Sequence, residues 1–223
     1  MVVPQKMSPW PEGEWSAMQQ ESVAWRARLH SCPGAGTLFL LDGASCSGKS
    51  TLVDRLTNGA GAVDLVPRYS TRERRQDDQR RREYIFVSQD AFRARAEAGA
   101  FIEYRDFLFG MSYGLPWAEA FGPLLDGRPA LGVINLGNVE FVKTLLPEAV
   151  TILVDASLDT IRHRLIARGV NTTEQIEERL GNAKRVQDFR RFYDYLVSNE
   201  EGGLGEAEAT LRSLIASRAV TGS

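Results

Sequence analysis

Gly43-Ala44-Ser45-Cys46-Ser47-Gly48-Lys49-Ser50-Thr51 is the stretch whose reading decides the fold. It satisfies G-x-x-x-x-G-K-[ST], a loop that binds phosphate. The flanks supply the context that the motif requires. Thr37 to Asp42 is a short apolar run that reads as a buried strand, and Leu52, Val53 and Leu56 behind the loop fall at helical spacing. Strand, Gly-rich loop and helix together turn backbone N–H groups and a helix N-terminus toward one concave point, which favours an anion. Gly43 and Gly48 permit backbone angles that a Cβ would forbid. In such a loop the residues from Gly43 to Thr51 hold the phosphates, Lys49 reaches the β- and γ-phosphates, and the Ser50 hydroxyl is placed for Mg²⁺. Cys46 reads as a small loop residue whose backbone does the binding.

Working outward, strand and helix signals alternate. Strands are expected over 62–67, 84–87, 100–104, 130–135, 150–154 and 195–198, and helices over 89–98, 116–125 and 206–217. Thr172-Thr173-Glu174-Gln175 fits a capping box that opens a further helix. The sum is an α/β chain with a doubly wound, mainly parallel sheet and the loop at the carboxyl end of its first strand. Residues 1–36 form an extension with an amphipathic helix over 14–30, on which Trp15, Met18, Ser22, Trp25 and Leu29 share a face. That face is expected to pack on its own domain; the alternative is a homodimer contact, because Trp is enriched at interfaces.

Bulk properties exclude several classes. At 223 residues the chain has room for one α/β domain with a mobile lid. A net charge of −2 gives no footing for nucleic acid or an anionic membrane. No apolar run reaches bilayer length. Two cysteines and two histidines, scattered along the chain, do not make a zinc site, and the thiols read as reduced in a cytoplasmic setting. The run Arg72 to Glu83 is densely charged but mixed in sign, and its arginines suit phosphate oxygens.

Several motifs in order resemble the guanylate kinase family: the loop, Ser70-Thr71-Arg72-x-x-Arg75, Tyr84 to Ser88, Gly99 to Glu103, Tyr113-Gly114, Arg164 to Gly169, Glu177 to Leu180 and Asp194 to Asn199. The resemblance covers roughly residues 37 to 217. It implies a P-loop NTPase fold with a small acceptor-binding subdomain over about 68–116 and a helical lid over about 164–190. It implies an ATP- and Mg²⁺-dependent phosphotransferase acting on a small phosphorylated acceptor, with GMP as the default. On that pattern Arg72, Arg75, Tyr84 and Tyr113 hold the acceptor phosphate and Glu103 contacts its base. Lys49, Arg164, Arg168 and Arg179 flank the transferring phosphoryl, and Asn199 lies near the donor adenine.

Three positions depart from that family. Arg68 stands where the family usually has serine, Leu115 follows Tyr113-Gly114 where the family carries Ser or Thr, and Asn135-Leu136-Gly137 replaces an Asp-x-Asp. Arg68 and Asn135 therefore join the expected acceptor-binding residues, and discrimination of guanine is expected to suffer. The same departures resemble the ribose 1,5-bisphosphate phosphokinases, so a ribose bisphosphate or a modified nucleotide is the alternative acceptor. A phosphopeptide-binding module without catalysis is the second alternative, and the intact Lys49 and Ser50 speak against it.

Overall fold

A computed structural model describes residues 8–58, 63–74, 82–107, 110–169 and 172–219. Its strands are β1 (Leu38–Asp42), β2 (Asp64–Leu65), β3 (Arg68–Ser70), β4 (Tyr84–Phe86), β5 (Phe101–Phe107), β6 (Met111–Pro116), β7 (Ala130–Val133), β8 (Val150–Asp155) and β9 (Tyr195–Ser198). Its helices are α1 (Glu12–His30), α2 (Lys49–Thr57), α3 (Gln89–Glu97), α4 (Trp117–Leu125), α5 (Val139–Leu145), α6 (Leu158–Ala167), α7 (Thr173–Phe189) and α8 (Leu204–Ala219).

β1 is wholly buried because it runs through the middle of a parallel sheet of order β2-β7-β1-β8-β9. Period-two alternation splits its side chains between two cores. Phe39 and Leu41 point to the layer holding Leu52, Val53, Leu56, Leu211 and Ile215 of α2 and α8. Leu38 and Leu40 point to the opposite layer, which contains Trp117, Phe121, Val142 and Ala183. Helices on both faces explain why these strands read as continuous apolar runs. The order places β1 between β7 and β8, so the loops after these strands converge at one carboxyl edge, where such sheets place their ligands.

A second sheet of order β4-β3-β6-β5 is mixed. β3 pairs parallel with β4 and antiparallel with β6. The sequence reading missed β3 and β6. β3 is three residues long and begins on an arginine, too brief to display a period. This sheet carries Arg68, Tyr84, Glu103 and Tyr113 on its four strands.

α1 packs on its own domain. Met18 is fully buried, the Ser22 hydroxyl donates to the Leu145 carbonyl at 2.5 Å, and the Trp25 ring meets Phe121 at 5.5 Å. Ahead of the helix, Trp10 stacks on Trp15 at 5.6 Å, and its indole N–H donates to the Tyr104 carbonyl at 2.9 Å. The aromatic face thus has an intramolecular partner. At the other end of the chain the capping box forms as expected. Thr172 N–H donates to Gln175 Oε1 at 3.0 Å, and Gln175 N–H donates to Thr172 Oγ1 at 3.3 Å. No helix among the described residues is long and apolar enough to cross a membrane.

Candidate active site

The loop from Gly43 to Gly48 runs from β1 into α2 with three residues at positive φ: Gly43 at 152°, Cys46 at 65° and Gly48 at 98°. A Cβ on Gly43 would meet the Val154 carbonyl oxygen at 2.3 Å, and one on Gly48 would meet Asn199 Nδ2 at 2.1 Å. Both glycines are therefore fixed by close approach as well as by angle. Lys49 turns its Nζ back across the loop and donates to the Gly43 and Ala44 carbonyls, the latter at 2.9 Å. Ser50 is exposed on the first turn of α2.

The loop is the shared wall of two cavities. One, of ≈ 210 Å³, is lined by Gly43, Lys49 and Ser50 together with Arg68, Tyr84 and Asn135. The other, of ≈ 370 Å³, is lined by Cys46, Gly48 and Thr51 together with Arg164, Arg168 and Asn199. Arg164 donates to the Cys46 carbonyl at 3.2 Å, and Arg179 reaches Ser45 Oγ at 2.8 Å. One arginine from each of α6 and α7 thus touches the loop, while Arg168 is exposed at the cavity rim. Asn199 is buried, donates to the Ser47 carbonyl at 2.6 Å, and keeps its Oδ1 without a partner.

On the opposite side, Tyr84 and Tyr113 sit edge to face with centroids 5.9 Å apart. The Arg72 guanidinium lies over Tyr84 at 4.8 Å and over Phe86 at 5.0 Å, and that of Arg68 lies 5.4 Å from the Tyr113 ring. Burial pushes the Tyr84 hydroxyl above its ordinary pKa, so it remains a neutral donor. Arg75 lies outside the described residues.

Glu103 stands one layer behind the cavity wall. It is fully buried, and Asn135 Nδ2 donates to both of its oxygens at 3.1 and 2.8 Å. Asn138 Nδ2 donates to Oε2 at 2.7 Å, and Arg68 Nη2 stands 3.5 Å from Oε1. Burial raises its pKa, and Arg68, Asn138 and Asn135 oppose that shift.

Sequence reasoning passed over Asp42 and Asn138. Asp42 is buried at the end of β1, accepts from the Gly43 N–H at 2.6 Å and from the Tyr193 hydroxyl, and lines the first cavity beside Lys49. Burial pushes it up to about 6, against the pull of Lys49. Burial likewise pushes Lys49 down to about 8, against the pull of Asp42. The signal was available: a carboxylate ends an otherwise apolar strand, immediately before the phosphate loop. Asn138 gave none, because its partner is 35 residues away.

Residues 35–218 match the family model described as guanylate kinase. A guanylate kinase of Neisseria meningitidis serogroup A is 32% identical over 182 residues, covering 81% of this chain and 87% of that protein. One from Dechloromonas aromatica is 31% identical over 182 residues, covering 81% and 89%. The crystal structure of guanylate kinase from Anaplasma phagocytophilum superposes with a TM-score of 0.61 at 22% identity, covering 82% of this chain and 86% of that one. That likeness establishes the shared α/β fold with its mainly parallel sheet.

Proposed function

The chain belongs to the guanylate kinase family, and from that membership we propose that it transfers the γ-phosphoryl group of ATP to the phosphate of GMP, giving ADP and GDP. The observation that carries the reading is the phosphate loop standing as the common wall of two cavities, each with arginine on its far side. Two polyanions must be brought together, so the site has to offset their repulsion, and positioned cations do this.

In this reading the cavity beside Gly48 and Asn199 takes the ATP base and the loop amides take its phosphates. The unpartnered, buried Asn199 Oδ1 suits an amino group of the base. Lys49 keeps its proton below about pH 8 and draws on the β- and γ-phosphates. Arg164 and Arg179, already bonded to the loop, cover the equatorial oxygens, with Arg168 closing from the rim. Arg72 holds the acceptor phosphate as a guanidinium fork, braced on the Tyr84 ring, with Tyr113 beside it and Arg75 assigned by the family pattern alone. An oxygen of the acceptor phosphate attacks the γ-phosphorus, and the bond to the β,γ-bridging oxygen breaks to release ADP. Ser50 is the residue that would hold Mg²⁺, and its exposed hydroxyl on the first turn of α2 fits that role. When bound, the ion supplies charge neutralisation on the donor phosphates. The acceptor is a small molecule, and the setting is cytoplasmic.

The test is ADP release from Mg-ATP with GMP, dGMP, AMP, CMP, UMP and ribose 1,5-bisphosphate offered singly. GMP is expected to give the strongest signal, with GDP as product. Absence of GMP-dependent ADP release, or a stronger signal from ribose 1,5-bisphosphate, would overturn the assignment.

A further inference from the structure

The acceptor wall contains a donor–acceptor pair that the family pattern does not supply. Arg68 is 9% exposed, lines the cavity, and has its Nε–H buried with no partner. Its position is fixed from two sides, by Glu103 at 3.5 Å and by the Tyr113 ring at 5.4 Å. Asn135 lines the same cavity. Asn135 turns its Nδ2 to Glu103 and donates to both carboxyl oxygens. That leaves Asn135 Oδ1 as an acceptor without a partner among the described residues. A buried donor without a partner is costly to keep, and a ligand that satisfies it is correspondingly favoured.

Resting on the GMP reading above, we propose that Arg68 and Asn135 read the guanine ring directly, with Glu103 as a positioning residue that holds both from behind. The chemistry matches edge to edge. Guanine presents O6 and N7 as acceptors, the pair that an arginine fork addresses, and its N1–H is a donor for an amide oxygen. Adenine presents an amino group at position 6 and an acceptor at N1, so donor meets donor and acceptor meets acceptor. The mismatch leaves buried groups on the protein unpaired, which is the most discriminating kind of rejection. An arginine at position 68 thus addresses N7 as well as O6.

The test is a cycle of one ligand change and one residue change. GMP and 7-deazaguanosine monophosphate, which lacks only the N7 acceptor, are compared in the unaltered protein and in Arg68→Ala. Loss of N7 is expected to raise KM in the unaltered protein by about tenfold. Arg68→Ala is expected to raise the KM for GMP by about tenfold to a hundredfold, to leave that for ATP unchanged, and to abolish the N7 penalty. Arg68→Lys restores charge without the fork and should recover little of the loss. Glu103→Gln should lower the preference for GMP over AMP. Equal KM for the two ligands in the unaltered protein overturns the role of Arg68, whether or not the variants fold, and so does an N7 penalty that persists in Arg68→Ala. Silence of the unaltered protein toward GMP itself would instead strike the kinase assignment.

Discussion

The two halves of the proposed site, donor and acceptor, are built on different principles. The donor half is nine consecutive residues, Gly43 to Thr51, in which backbone groups and two glycine angles make the cradle. The acceptor half gathers Arg68, Tyr84, Glu103, Tyr113 and Asn135 from strands β3 to β6 and the turn after β7, so its geometry exists only once two sheets have formed. A backbone site survives most side-chain changes around it, whereas a side-chain site can be retuned one residue at a time. On the proposed reading, that difference accounts for an intact phosphate loop beside an acceptor cavity that carries Arg68 and Asn135.

The sharpest way to break this comparison is Lys49→Ala. Removing the one side-chain cation of the loop is expected to lower kcat by about a hundredfold to a thousandfold, with an unchanged thermal melt. Retained turnover would remove the loop from the chemistry. Next in size is Arg72→Ala, which is expected to raise the KM for GMP by about tenfold or more while leaving that for ATP nearly constant. An equal loss on both substrates would mean that the two halves are not separable. The smallest effect is a shift in pH dependence. Lys49 loses its proton near pH 8, so kcat/KM for ATP should fall above that pH. The negative charge of Asp42 favours protonated Lys49, so Asp42→Asn should move this alkaline limb to lower pH. A limb that stays in place would separate Asp42 from the loop.

The middle of the parallel sheet, β1, β7 and β8, was readable in the chain because these strands are buried almost throughout and so read as apolar runs. The capping box of α7 was equally plain, since both of its bonds lie within four residues. The second sheet was not readable. Arg68 to Ser70 carries an arginine and a serine at its buried positions, and the buried arginine is compensated by Glu103, 35 residues away. For the same reason the sequence could name Glu103 but not place it. Its standing behind the wall depends on Asn135 and Asn138, whose amides it accepts. Local chemistry leaves a local signature, and pairings across sheets leave none in a single chain.

The N-terminal packing separates two boundaries that are easily confused. The family match begins at residue 35, yet Trp10 is seated against Tyr104 and Phe141, Trp25 against Phe121, all in the region it covers, and Met18 is fully buried. A chain trimmed to the family limits would bare those aromatic faces to water and loosen the support of β5, the strand that bears Glu103. The region that homology matches is therefore smaller than the packed unit, and any dissection of this enzyme should follow the second.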